Sequence, residues 1–405
     1  MRHNPRAEAD RLVDVGIAAA SDGRPGDAIA AYTKAIQVNP LSLDGHMNLG
    51  NLLAQYGKQR QAVVHLQRAM SLAAGHPKAS EDAATSFLHL GRWDLALPIL
   101  NRLNKADPKN AMVLANLGFL HLENGRREEA IAAAARAVEI DPSLAAAHFL
   151  LYFALYDDRN VTASIAPLKA AVKWAPEKDW YRFLLGVLLD ESGDRQGSRK
   201  LFTSLGPDSY AGGRESWAYI KEKRTPSTRI FSTTRQTLLA GVESARPDGL
   251  SLEFGVRYGI STRWLAERCD VVHGFDSFEG LPEVWHIQSK GAFSTHGDRP
   301  ELPPNVKLHV GWFDATIPVF AQDYAGPVRF MNIDCDLYSS TKVVFDQLSS
   351  RIGPGTVLVF DEYIINDRWR QDEFKAFQEA VVEHGWRYEY LAFSVTNFQA
   401  TVRIL

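Results

Sequence analysis

A 34-residue period constrains the front half of this chain more than any other feature. Gly23, Gly57, Gly91 and Gly125 stand 34 residues apart, and Gly193 lies two steps further on. Seven residues before each comes a small residue: Gly16, Gly50, Ala84, Gly118 and Gly186. Five residues after come Ala28, Ala62, Ala96, Ala130 and Ser198, and prolines recur in phase at Pro40, Pro108, Pro142 and Pro176. Larger side chains, Tyr32, Leu66, Leu100, Leu168 and Phe202, share one position in the second part of the unit. A repeated helix pair accounts for all of these. The early small residue lets two helices approach. The next glycine takes the left-handed backbone that ends the first helix, and the proline stops the second. One pair cannot bury its own apolar face, so neighbouring units must stack.

This phase resembles the tetratricopeptide repeat over roughly residues 9–212, about six units. The fifth unit departs from it: Tyr152 stands where the small residue belongs, and Asp157-Asp158-Arg159-Asn160 fills the turn, so a distorted unit is expected there. The resemblance implies a concave groove for a protein or peptide partner, or a surface for self-association as a homodimer. Asn48 and Asn51 are candidates for holding a peptide backbone in that groove. Phe119, Phe149, Phe153 and Tyr156 are read as solenoid core in preference to groove lining.

Composition narrows the classes. The net charge of −3 gives no field that favours nucleic acid or an anionic membrane. Cys269 and Cys335 are the only cysteines and form no CxxC, which argues against a disulfide framework or a zinc-thiolate site and fits a reducing compartment. The polar start shows no secretory signal, and no apolar run is long enough to span a bilayer, so a cytoplasmic protein is expected.

Residues 208–247 break the period, with a helical pattern returning between Ile230 and Ala245. Short β-rich runs then alternate with helical stretches: Leu250–Val256, Val271–Phe275, Val306–Val310, Val328–Ile333 and Thr356–Phe360. A helix is expected over Asp372–His384, then two strands, Tyr388–Phe393 and Gln399–Leu405, joined too closely for a crossover. The expected fold is therefore two domains: an all-α solenoid over 1–212, then an α/β Rossmann-like domain over 249–405 with a mostly parallel sheet and a C-terminal antiparallel hairpin. Residues 213–248 are read as a linker and leading helix.

In such a sheet, ligands gather at the carboxyl ends of the strands. The first run ends in Glu253-Phe-Gly255-Val-Arg-Tyr-Gly259, a turn that passes close beneath a ligand, with Glu253 placed to receive an ammonium. The second ends in Asp276-Ser277, about 20 residues past that turn, where an acid accepts ribose hydroxyls. The full Gly-x-Gly-x-x-Gly dinucleotide fingerprint is absent. The third run leads to Gly311-Trp312-Phe313-Asp314, a planar wall and an acid that suit adenine; the alternative is two core aromatics and a helix cap. The fourth ends in Asp334-Cys-Asp336 and the fifth in Asp361-Glu362. Carboxylates converging there need a hard divalent cation or a shared proton; alternatively Asp336 caps the next helix and Glu362 faces solvent.

At Asp276-Ser-Phe-Glu-Gly-Leu-Pro282, Gly311-Trp-Phe, Asp334-Cys-Asp-Leu-Tyr-Ser-Ser-Thr341 and Phe360-Asp-Glu-Tyr363, residues 249–405 resemble the macrocin O-methyltransferase-like family. Known members methylate sugar hydroxyls of antibiotics, and several need Mg²⁺. The resemblance implies a class I S-adenosyl-L-methionine-dependent methyltransferase. Its cofactor set is Glu253, Gly255, Gly259, Asp276, Ser277, Trp312 and Asp314. Asp334 is the candidate base, with Asp361 and Glu362, and Asp336 as an extra ligand, around a possible Mg²⁺. Metal-dependent members carry Asp-Asp where this chain has Asp361-Glu362. His309 and His384 are rival bases. The stretch 283–305, with Trp285, His286, Phe293 and His296, and the stretch 366–370 are candidate walls for a small-molecule or glycan acceptor. The competing expectation is an interaction scaffold whose rear domain binds a nucleoside without catalysis.

Overall fold

The computed structural model describes residues 4–56, 58–73 and 75–405; Gly57 and the first three residues of the polar start lie outside them. The chain forms two compact units. One takes the residues up to Leu117 together with Phe278–Arg299, and the other takes Gly118–Ser277 and Pro300–Leu405. No helix among the described residues is long and apolar enough to cross a membrane.

The first unit holds three helix pairs: α1 (Pro5–Ser21) and α2 (Pro25–Val38), α3 (Leu43–Gln55) and α4 (Gln59–Leu72), α5 (Pro77–His89) and α6 (Trp93–Ala106). The periodic residues do the steric work expected of them. A Cβ on Gly16 would lie 2.3 Å from the Tyr32 ring, and one on Gly50 would lie 2.8 Å from Leu66. In the third pair Ala84 and Leu100 are both fully buried. Gly23 and Gly91 end their helices with φ of 72°. The remainder of this unit, Phe278–Arg299, is an ordered loop in which Leu281 and Ala292 hydrogen-bond across a turn closed by Trp285 and Gln288.

In α7 (Ala111–Glu123) the first unit ends and the second begins. The second unit continues with α8 (Arg127–Ile140), α9 (Ala145–Leu155), α10 (Thr162–Trp174), α11 (Asp179–Glu191), α12 (Arg195–Ser204) and α13 (Ala211–Lys223). A Cβ on Gly186 would lie 2.4 Å from the Phe202 ring, as the phase requires. Gly118 has only alanine at the equivalent position, Ala134, and Leu150 of the following unit fills the gap at 2.7 Å. Phe153 and Tyr156 are buried, and Phe149 stacks on Tyr181 at 4.5 Å, so these aromatics are core.

The fifth unit is shortened rather than disordered. Its first helix has 11 residues, and Tyr152 is buried in place of a small residue. In the turn, Asp158 accepts two bonds from the Arg229 guanidinium, at 2.7 and 2.8 Å, and the Ile230 N–H at 2.8 Å. That anchor corrects one sequence expectation. Arg229–Ile230 is not the start of a helix but a two-residue strand, β1. The helix, α14, spans Thr234–Ser244 because Thr233 and Gln236 form a capping box.

The sheet follows the expected runs closely: β2 (Leu250–Phe254), α15 (Ile260–Ala266), β3 (Val272–Asp276), β4 (Val306–Val310), α16 (Phe313–Asp323), β5 (Val328–Ile333), α17 (Tyr338–Leu348), β6 (Val357–Phe360), α18 (Glu373–His384), β7 (Tyr388–Ser394) and β8 (Gln399–Ile404). The spatial order is β1-β7-β8-β6-β5-β2-β3-β4. The closing hairpin is present, yet only β8 runs against the others, because β8 inserts between β6 and β7 and pairs antiparallel with both. The chain leaves β2 toward one edge and returns at β5 on its other side, which makes the β2/β5 boundary the topological switch point.

Candidate active site

The strand tips are tied together by backbone bonds that continue beyond the strands. Gly311 N–H donates to the Asp276 carbonyl, Gly255 to Phe275, Asp334 to Phe254 and Asp361 to Ile333, at 2.9–3.0 Å. Gly255, Asp276, Asp334 and Asp361 therefore share one edge of the sheet at its switch point.

Gly255 explains how closely they sit. Its φ is +99°, and a Cβ there would lie 1.9 Å from the Asp334 carbonyl oxygen. Only glycine permits that approach. Gly259, with φ of +69°, starts α15, and its absent Cβ makes room for Leu302 at 2.5 Å. Between them, Arg257 adopts a left-handed φ of 49°, unusual for a non-glycine residue. Asp276 holds this loop in shape: its Oδ2 accepts the N–H groups of Val256 at 2.9 Å and Arg257 at 2.7 Å. The sequence alone suggested a ribose role for Asp276, and the geometry adds a structural one. Ser277, beside it, is half-buried.

Glu253 lies beneath the loop and is fully buried. Its Oε1 accepts the Asn332 amide at 3.1 Å, while Oε2 and the Asn332 carbonyl oxygen have no hydrogen-bond partner. Burial pushes the Glu253 carboxyl up to about 7. On the far side, the aromatic pair divides. Trp312 is 39% exposed, whereas Phe313 packs edge-on against Phe254 at 5.3 Å. Asp314 is exposed in the first turn of α16, and the helix is capped by neither acid nor hydroxyl. Trp312 and Asp314 are thus spent on neither core nor cap.

The acids at the β5 and β6 tips are half-buried. Burial, then Asp361, Asp336 and Glu373, hold the Asp334 carboxyl well above the usual carboxylate range. Burial and Asp361 raise Asp336 to about 7, against the pull of Arg257. Burial raises Asp361 to about 6, opposed by Gln399, whose amide donates to it at 2.6 Å. Glu362 is half-buried, and burial and then Asp361 raise its carboxyl. Asp336 does not cap α17: it sits at φ 62°, and the cap is Leu337 without a side-chain bond. Among the described residues, no three His, Cys, Asp or Glu side chains gather around a point that a metal ion would occupy.

Two members of this region escaped sequence reading. Glu373, at the start of α18, is fully buried; its Oε2 accepts the Glu362 N–H at 3.1 Å, and its Oε1 has no partner. Gln399 reaches Asp361 from β8. Their only signal in the sequence was a place in the expected helix 372–384 and the expected strand 399–405. The rival histidines are structural. His309 stacks on Phe275 at 4.6 Å and bonds His273 at 3.0 Å, and His384 packs on Trp386.

Comparison with known proteins agrees with the architecture. Residues 252–363 match a family model described as a methyltransferase domain, and residues 14–77 and 81–145 match a tetratricopeptide repeat model. Over 135 residues the chain is 28% identical to 8-demethyl-8-(2,3-dimethoxy-alpha-L-rhamnosyl)-tetracenomycin-C 4'-O-methyltransferase of Streptomyces olivaceus, covering 28% of this chain and 46% of that protein. Over 137 residues it is 28% identical to small glutamine-rich tetratricopeptide repeat-containing protein 2 of Mycosarcoma maydis, covering 34% of this chain and 29% of that one. The chain thus spans less than half of either relative. Among solved structures, the calicheamicin methyltransferase CalS11 aligns over 42% of this chain and 77% of its own, with 22% identity and a TM-score of 0.35. Pseudomonas aeruginosa PilF aligns over 54% of this chain and 100% of its own, with 18% identity and a TM-score of 0.43.

Proposed function

Because this chain joins a tetratricopeptide-repeat array to a methyltransferase domain, we propose that it is an S-adenosylmethionine-dependent O-methyltransferase acting on a hydroxyl of a sugar, glycan or related small molecule. The repeats serve a protein partner or self-association. The observation that carries the proposal is the meeting of the Gly255 turn with half-buried Asp334 at the switch point. The O-methyltransferase named for a rhamnosyl substrate supports the choice of acceptor.

When bound, the sulfonium cofactor supplies an electrophilic methyl group. Gly255 and Gly259 would let its chain lie close to the backbone, Asp276 and Ser277 would meet the ribose, and Trp312 with Asp314 would meet the adenine. Glu253, beneath the turn, keeps Asn332 and the β2 tip in register. Asp334 takes the proton of the acceptor hydroxyl. Positioning donor and acceptor at near-attack distance supplies much of the remaining rate.

Calorimetric titration of the purified chain with S-adenosylmethionine and, separately, NAD tests the cofactor. Heat with NAD alone would refute the proposal. Formation of S-adenosylhomocysteine over a panel of glycosides, beginning with p-nitrophenyl α-L-rhamnoside, tests the acceptor. The non-catalytic alternative is disfavoured by the acids themselves, since mutually repelling half-buried carboxyls cost stability that a mere binder has no reason to bear.

A further inference from the structure

The stretch 366–370, a candidate acceptor wall from sequence, and the residues just before it are clamped to α13. The Ile365 N–H donates to the hydroxyl of Ser216, which is fully buried, at 2.8 Å. Ile365 has φ of 74°, a left-handed conformation that a β-branched side chain adopts only when its surroundings enforce it. One residue earlier, the Ile364 N–H donates to the Phe398 carbonyl at 3.0 Å. Gly212 of α13 lies against the next residues so closely that a Cβ would meet the Asn366 carbonyl oxygen at 2.5 Å. Buried Trp369 packs on Tyr219, and Arg370 bonds Glu215 at 2.7 Å. Tyr219 also bonds Tyr390, which in turn bonds Tyr363, the residue directly after the acid pair. On its other side α13 is held by α11: Asp190 accepts the Trp217 indole N–H at 2.8 Å and Lys221 at 2.6 Å.

We infer that Ser216 is a positioning residue for Asp361 and Glu362, so that the helix closing the repeat array is part of the reaction-site scaffold and not a linker. The inference rests on the methyl-transfer reading of that site. Removing the hydroxyl leaves a buried N–H without an acceptor in a strained backbone. The segment then relaxes, and the acid pair moves with it.

Hydrogen exchange followed by mass spectrometry on the intact chain tests this. Ser216→Ala is expected to speed exchange in peptides spanning 361–368 about tenfold or more, while peptides spanning 250–277 stay as in the wild type. S-adenosylmethionine affinity should remain within about twofold of wild type, and turnover should fall in kcat rather than in the KM for the cofactor. Ser216→Thr, which keeps the hydroxyl, should restore both. Gly212→Ala disturbs the same segment through a different contact and should reproduce the local exchange pattern if Ser216→Ala fails to fold. Exchange at 361–368 unchanged in both variants, or a uniform rise across the whole unit, would overturn the inference. Failure of the parent reading registers elsewhere, as absence of cofactor heat from the wild-type chain, and the exchange comparison stands apart from it.

Discussion

Replacing Gly255 with alanine places a methyl group where the structure has the backbone of the neighbouring strand. Two costs add. The residue sits at φ of +99°, and holding alanine there costs about 1–3 kcal/mol. The new Cβ also falls 1.9 Å from the Asp334 carbonyl oxygen, so the β2 and β5 tips must part. Forced overpacking of that kind costs about 1–3 kcal/mol more. The obstacle is a peptide carbonyl, not the end of a flexible side chain, so it cannot simply swing aside. Asp334 and the bonds from Val256 and Arg257 to Asp276 must move with it. The expected total is roughly 2–6 kcal/mol, seen either as lost stability or as S-adenosylmethionine affinity weakened about thirtyfold or more. Gly23→Ala is the control. Gly23 has φ of +72°, but a methyl group there would meet nothing within 4 Å, so the variant should show only the backbone penalty, about 1–2 kcal/mol. Denaturant melts and calorimetric titration of both variants decide the matter. If Gly255→Ala matches Gly23→Ala in stability and the wild type in cofactor affinity, the close approach of the two strand tips is wrong.

Three other perturbations follow from the same geometry. Asp334→Asn should lower turnover by about a hundredfold or more while leaving cofactor affinity largely intact; surviving activity would remove Asp334 as the base. Burial raises the Glu123 carboxyl in α7 to about 7, so the folded chain binds a proton more tightly there than the unfolded chain does. That acid therefore lowers stability progressively as pH rises from its unfolded value toward 7, and Glu123→Gln should gain on the wild type across that window, by on the order of 2–3 kcal/mol at pH 8. Urea melts at pH 5 and pH 8 check it, and an equal difference at both would contradict it. Asp158→Ala removes the acceptor of Arg229 and of the Ile230 N–H, at a cost of about 2–4 kcal/mol, with faster hydrogen exchange at Ile230 as the local signature.

What the sequence revealed depended on whether one residue type had one steric job. Gly16 must be small because Tyr32 lies against it, and Gly23 must be glycine because its helix ends in the left-handed region. Such demands recur with the period and can be read without coordinates. The apolar runs of β2 to β6 are equally legible, because strands buried on both faces leave little room for polar residues. β1 was not legible. Two residues carry no periodicity, and they form a strand only because Asp158, more than 70 positions earlier, supplies their anchor. The strand tips fall between these cases. Gly255, Asp276, Asp334 and Asp361 were found because topology alone says where a parallel sheet gathers its ligands. Glu373 and Ser216 were missed because each sits on a helix among ordinary polar neighbours.

The missed residues also explain how the found ones tolerate one another. Asp334, Asp336, Asp361 and Glu362 repel in a half-buried space where Arg257 is the cation acting on Asp336. No side chain at the tips offsets that repulsion in full, so the backbone must be held from outside. Gln399 donates to Asp361, Glu373 accepts the Glu362 N–H, and Ser216 accepts the Ile365 N–H. Each restraint comes from a different element, β8, α18 and α13. Loss of any one should let the acids separate and ionise more readily. The acids at the β5 and β6 tips are thus held by a strand and two helices that lie outside those tips.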